Sequence, residues 1–384
     1  MKKRITPILF AFVLLTSILA SCTSSTPPTA NTAPPPSQAP SSAESTNTNT
    51  NTPAPPPDPA LNFKKLTVGT MALSMGVPVQ YAYENGYYSD EGLDIEIILF
   101  ATGVPINEAY AAGQLDVAVS GLASVYSLAN GRAKWVGEIN TTGGMGIYVR
   151  PDSPLLSAKG QISGKPDMYG SADLIRGLKI LGPLGTASQF NAIRWAQQYG
   201  LTSADYEHVH MEFGPAYQAF MSGEGDAVTL NPPFSFQAEE AGYVCAATFE
   251  DATESTLMDG IFCTDDMYNN RREELVRFIR ATYKAQADLQ DYNTRFEFSL
   301  RWFTENGKDY TESSMAKEIS VREYIYAGNM TQPNYVFGKG MTEIAGFFVT
   351  DGKIQPRDFP NVQASFADDI IAEALGISFA VDRQ

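Results

Sequence analysis

Histidine is nearly missing from this chain: His208 and His210 are the only two in 384 residues. They lie two apart in HVH, on an expected strand, so both point to one face. No cysteine or carboxylate cluster stands at zinc spacing around them, and an ordinary surface or sheet-edge pair is the expected reading. Also absent are a Walker A loop, a GxSxG elbow, HExxH and GxGxxG, which argues against the common nucleotide-binding, acyl-transfer and zinc-hydrolase chemistries. Carboxylates such as Asp90, Glu91 and Asp94 flank turns and are expected in solvent. With no base or nucleophile in a convincing setting, the residues point to binding without catalysis, metal or cofactor.

Positive charge is scarce as well. Lys and Arg number 27 against 43 Asp and Glu, a formal net charge of −16. Such acidity disfavours nucleic acid and anionic lipid surfaces as partners. It leaves room for an anionic small ligand, because local donors outweigh a screened global field. Cysteine is limited to Cys22, Cys245 and Cys263. The last two sit in apolar, strand-like stretches, YVCAATF and GIFCTDD; buried free thiols are expected there, with a disulfide between them as the alternative.

An apolar run from Ile8 to Leu19 follows Lys2, Lys3 and Arg4 and precedes LASC, Leu19 to Cys22. It is shorter than the roughly 20 residues that a spanning helix needs. Residues 1–21 therefore read as a secretory leader, outside the fold. A cysteine directly after Leu-Ala-Ser resembles the bacterial lipobox, which implies Cys22 as a lipidated N-terminus. The expected address is extracytoplasmic, tethered to the cell membrane by lipid and not spanning it. Removing the leader's three basic residues would take the net charge from −16 to −19.

Within 22–62, residues 23–60 are almost wholly Ser, Thr, Pro, Asn and Ala, with PPP at 34–36 and 55–57. Such a segment buries too little apolar surface to offset ordering, so a disordered tether is expected, with a reach of roughly 35 Å. From Leu66 the texture changes. LTVGTMA reads as a strand, PVQYAYENGYY as a helix ending at Gly86, LDIEIILF as a strand, VPINEAYAAGQ as a helix and LDVAVSG as a strand. ASVYSLANG and KWVGEIN add a further helix and strand. After GMGIYVRPDSP the grammar repeats through GLKILGPL, ASQFNAIRWAQQYG, YEHVHMEF, PAYQAFMSGEG and DAVTLNPP. The remainder from Met267 is mostly helical, with Leu275, Phe278, Ile279 and Thr282 at helical spacing. Repeated strand-helix-strand order implies an α/β fold with crossover helices, here in two units.

In parallel sheets ligands gather beyond the carboxyl ends of the strands. The loops expected there are uncharged and rich in hydroxyl, amide and glycine: LSMG (73–76), SGLAS (120–124), GTASQ (185–189) and NPPFSF (231–236). Helix N-termini supply free N–H groups to such loops, and hydroxyls can add to them or simply cap the helices. The candidate ligand-binding residues are Ser74, Met75, Ser120, Gly121, Leu122, Ser124, Thr186, Ala187, Ser188, Gln189, Asn231 and Phe234. Tyr148, Phe190, Phe213, Tyr217 and Phe236 also lie near these loops, either to wall a pocket or to pack a core.

The run VPVQYAYENGYYSDEGLDIEI, then GVPINEAYAAGQLDVAVSGLASVYSLANG, resembles the substrate-binding proteins of ABC importers for nitrate, taurine, aliphatic sulfonates and thiamine-pyrimidine precursors. Gly86, Tyr87, Tyr88, Glu91, Gly92, Leu93, Asp94 and Ile95 occupy that family's Gly-Tyr-Phe and Glu-Gly-Leu-Asp-Val places. Gly113 and Asp116 match its strand before a small-residue ligand loop. AFMSGEGDAVTLNPP and MTEIAGFFVTDGKI continue the likeness, which spans about 66 to 376.

The resemblance implies a type II periplasmic-binding-protein-like fold: two lobes, each a mostly parallel sheet flanked by helices, hinged around a cleft. Lobe I would be 64–147 plus 257–384, lobe II 148–256, and TTGGMG a crossing with Gly143 and Gly144 as hinge residues. It further implies a monomeric receptor that captures a small polar or anionic solute, of the sulfonate, nitrate, carboxylate or pyrimidine class, and delivers it to a permease with its ATPase. An enzyme like the thiamine-pyrimidine synthase, or a sensory or adhesive surface protein, is the alternative. Residues 157–172 look like an insertion, and the ligand loops show no charged partner.

Overall fold

The structure, a computed structural model, describes residues 63–383; the leader, Cys22 and the tether lie outside them. Strands β1 (Leu66–Met71), β2 (Ile95–Phe100), β3 (Val117–Ser120) and β4 (Lys134–Thr141) come first. Then follow β5 (Gly146–Val149), β6 (Lys179–Gly182), β7 (Glu207–His210), β8 (Ala227–Leu230), β9 (Val244–Thr248) and β10 (Met258–Cys263), with a short pair β11 (Val336–Phe337) and β12 (Ala380–Val381) at the end.

They form two five-stranded sheets, ordered β2-β1-β3-β10-β4 and β7-β6-β8-β5-β9. β1 runs parallel to β2 and β3, and β6 to β7 and β8, as crossover helices require. One strand in each sheet runs against the rest, β10 in the first and β5 in the second. The chain leaves the first sheet after β4 and returns to it at β10. The architecture is thus two α/β lobes with mostly codirectional sheets.

Burial on both faces explains the composition of these strands. On β5, Ile147 and Val149 join a core with Ile180 and Trp195, while Tyr148 between them turns to the opposite face with Leu181, Phe220 and Val228. A period of two with apolar residues at every position places helices on both sides of a sheet. The helix Arg272–Asp288 buries Leu275, Phe278, Ile279 and Thr282, the spacing read from sequence. Against it Tyr88 stacks on Phe278 at 5.1 Å and shares a 2.9 Å hydrogen bond with Thr282 Oγ1.

Several expectations need correction or sharpening. The helix expected to run to Gly86 stops at Glu84, and Gly86 at φ 75° leads into a separate short helix, Tyr87–Asp90. Cys245 and Cys263 are free, in β9 and β10 of different sheets, so the disulfide alternative falls. The HVH pair lies on β7, an edge strand; burial pushes the His208 imidazole down to about 4, and His210 Nδ1 accepts the Leu184 N–H at 3.1 Å. Within 157–172, Tyr169 donates its N–H to Ala246 O and accepts from Trp195 Nε1, which ties the segment to β9 and to the helix Ala187–Gln198.

One buried acid makes stability depend on pH. Glu138 of β4 is 1% exposed, accepts Tyr335 Oη–H at 2.6 Å and the Gly338 N–H at 3.1 Å, and is pushed up by burial to about 7 from 4.5. A carboxyl raised in the folded state adds stability that is complete below its unfolded pKa and lost as pH climbs through the folded one. Urea denaturation should show roughly 2–3 kcal/mol less stability at pH 8 than at pH 5 from this group. Glu138→Gln should flatten that part of the profile; an unchanged profile would show that other groups carry it.

Candidate functional site

A cavity of about 50 Å³ lies where loops from both sheets meet. From the first lobe it is walled by Met71, Leu73 and Met75 after β1, Thr102 and Gly103 after β2, and Ser120 to Ala123 after β3. The second lobe brings Thr186 and Ala187 after β6, Phe213 after β7 and Asn231 after β8. These are the carboxyl ends of the codirectional strands, where helix N-termini point away from a sheet. One water needs roughly 10–15 Å³ on the same measure, so the space suits a solute of a few heavy atoms.

Of the candidate residues, Met75, Ser120, Gly121, Leu122, Thr186, Ala187 and Asn231 come together on this wall. The others serve the loops. Ser74 Oγ donates to Glu318 Oε1, and Ser124 Oγ donates to Gly121 O at 2.6 Å. Gln189 Oε1 accepts the Gly185 N–H at 2.9 Å, fixing the turn before the helix. Ser188 is buried behind the Thr186 cap, which accepts its N–H at 3.3 Å. Phe234 rests on Tyr217 with ring centroids 5.4 Å apart. Among the nearby aromatics Phe213 reaches the cavity, while Tyr148, Phe190 and Phe236 are core residues.

The sequence reading finds no charged partner in these loops; the structure supplies two from elsewhere. Asp259 of β10 and Arg322, just past the helix Glu312–Val321, line the cavity and are each 3% exposed. Arg322 Nε donates to Gly143 O at 3.1 Å and lies 3.2 Å from Glu318 Oε1. Its Nη2 donates to Asn231 Oδ1 at 2.6 Å, and its Nη1 stands 3.7 Å from Asp259 Oδ2. Burial works against the Arg322 charge, but Glu318 and Asp259 hold its pKa above the ordinary value. Asp259 is raised by burial despite Arg322, Asn140 and Thr142, which pull it down. Asn140 Nδ2 donates to Asp259 Oδ2 at 2.8 Å and Thr142 Oγ1 to Oδ1 at 3.3 Å.

The one local signal for Asp259 is an acid inside the otherwise apolar strand MDGIFC. Arg322 has none, since an arginine at a helix end is ordinarily solvated. The lobes also touch at the cavity, where Thr102 Oγ1 donates to Glu212 Oε1 at 3.4 Å, and elsewhere, where Gln237 Nε2 donates to Asp309 O at 2.8 Å. Ser120 Oγ is fully buried on the wall without a hydrogen-bond partner among the described residues. Among those residues no cluster of His, Cys, Asp and Glu is arranged to hold a metal, and no helix is long and apolar enough to cross a membrane.

Residues 76–292 match the family described as NMT1/THI5 like. A protein of Brachyspira hyodysenteriae named as an ABC transporter periplasmic binding protein is 33% identical over 312 residues, covering 81% of this chain and 89% of that protein. The periplasmic nitrate-binding protein NrtA of Synechocystis PCC 6803 shares the fold with a TM-score of 0.66 at 13% identity, covering 81% of this chain and 88% of that one. The alkanesulfonate-binding protein SsuA of Xanthomonas axonopodis pv. citri, bound to MOPS, gives 0.61 at 14% identity, covering 79% and 98%. With two α/β lobes around a shared cavity and these relatives, the chain belongs to the NMT1/THI5-like family and has the periplasmic-binding-protein fold.

Proposed function

We propose that the protein is the extracytoplasmic solute-binding component of an ABC importer. The observation that carries this reading is a small cavity walled by loops of both lobes, whose lining residue Ser120 has a buried hydroxyl without a partner among the described residues. Leaving such a hydroxyl without a partner is costly, and a bound solute would satisfy it. The polypeptide crossing at Gly143 and Gly144, next to Val321, is the proposed hinge between lobe I (64–147 plus 257–384) and lobe II (148–256). Closure around solute is the state a permease would recognise. Cys22 would carry the lipid that holds the protein at the membrane. The protein acts as a monomer and performs no chemistry on its cargo. Nitrate, sulfonates, carboxylates and pyrimidines are the classes to screen.

Calorimetry with that panel should find a binder, and small-angle scattering should show compaction on binding. Ser120→Ala should leave the empty protein as stable as before and weaken the binder about tenfold, the worth of one buried hydrogen bond. If neither this panel nor nitrogen cations bind, and the scattering curves never change, the reading fails.

A further inference from the structure

We infer that the cavity takes a solute presenting a positively charged or N–H-bearing nitrogen, and that Asp259 is the residue that receives it. This rests on the solute-binding reading above and narrows its charge class. Three carboxylates stand at or directly behind the wall: Asp259, Glu318 behind Arg322, and Glu212 on Thr102. One cation, Arg322, faces them, and it is already engaged by Gly143 O, Asn231 Oδ1 and Glu318. An incoming oxyanion would reach Arg322 only through its remaining Nη N–H groups, and would meet the Asp259 carboxylate 3.7 Å from Nη1 there.

Asp259 is differently placed. Its two oxygens accept one bond each from Asn140 and Thr142, the second a long 3.3 Å, which leaves acceptor capacity. Gly121 opens it to the cavity: a β-carbon there would sit 2.6 Å from Asp259 Oδ1. The Ser120 hydroxyl, buried and unpartnered, can accept a second N–H. The walls include Met71, Met75, Met145 and the Phe213 ring, polarisable surfaces that suit a cationic group.

Helix N-termini argue the other way, and magnitudes decide. Each offers about half a unit of positive charge, against whole charges on the carboxylates. In the helix Ala187–Gln198 the Thr186 cap takes the Ser188 N–H, and just before the helix Gln189 takes the Gly185 N–H, which leaves fewer donors for an anion there. The helix Phe213–Met221 begins at Glu212, whose Oε2 is itself buried without a partner, so its own acid offsets it. The turn Ser74–Gly76 and the helices Gly103–Ala111 and Ser124–Ala129 start on the cavity without a side-chain cap, each adding at most about half a unit of positive charge.

The test is titration calorimetry on the folded chain with ethylammonium, guanidinium and imidazolium chlorides, and with sodium nitrate and ethanesulfonate, at constant ionic strength. At least one nitrogen cation should bind, and Asp259→Asn should weaken it about 100-fold, as loss of a buried charge partner does. Gly121→Ala keeps the charge but covers Oδ1, and should also abolish binding; it decides the matter if Asp259→Asn does not fold. Binding by the oxyanions while the nitrogen cations stay inert, or cation binding that survives both substitutions, overturns the inference and leaves the solute-binding reading intact. No binding by either class, with no compaction in scattering, overturns both.

Discussion

Replacing Arg322 with methionine should destabilise the protein by about 3–5 kcal/mol at neutral pH, the usual cost of removing one partner from a buried ion cluster. Methionine keeps much of the volume, so the loss is electrostatic: Asp259 and Glu318, 3% and 2% exposed, would remain without their shared cation. The pH dependence identifies this cause. Asp259 is already raised by burial in the intact protein, and without Arg322 it rises further. Stability tied to a raised acid is complete below its unfolded pKa and lost as pH rises through the folded value. The difference between variant and parent should therefore shrink on acidification, from pH 7 towards pH 4. Urea midpoints for both proteins across that range measure it. A gap of constant size would mean that Arg322 acts by packing, and the charge account of the cavity would fail.

Gly143→Ala should be comparably severe, although only a methyl group is added. Its β-carbon would lie 1.9 Å from the carbonyl oxygen of Val321, a backbone atom that has no rotamer by which to step aside. The helix end carrying Val321 and Arg322 would have to shift, and with it the bond from Arg322 Nε to Gly143 O. Overpacking costs roughly 1–3 kcal/mol and a lost hydrogen bond to a charged group roughly 1.5–3, so about 2.5–6 kcal/mol together. Gly144→Ala is the control: its φ of 73° imposes backbone strain, but its nearest neighbours are side chains of Phe236, Pro232 and Val321 at 3.0–3.1 Å. Because Gly143 and Arg322 act on one bond, the double variant should lose less than the two single losses added. Strict additivity in a denaturation cycle would separate the crossing from the ion cluster.

The loop chemistry was legible because local rules govern it. A strand followed by a helix puts the intervening loop at the strand's carboxyl end, and Ser120, Gly121, Leu122, Thr186, Ala187 and Asn231 could be assigned to a shared wall on that basis. Ser74 shows the limit of such rules. It stands in an equivalent loop, yet its hydroxyl goes to Glu318, 244 residues away, and supports the ion cluster from behind. Phe190 likewise follows a ligand loop, but packs against Phe347 at 4.7 Å in the other lobe.

Composition and periodicity alone establish the two α/β units, the helices with Leu275, Phe278, Ile279 and Thr282 inside, and the absence of familiar catalytic motifs, since each is written within a window of a few turns. The charge of the cavity is not written there. Asp259 arrives on an antiparallel strand that returns to the first sheet, and Arg322 on a helix end that crosses to Asn231, 91 residues earlier. Whether an acid is solvated or buried against a cation depends on what the folded chain places beside it, and only the tertiary structure brings those partners within 4 Å.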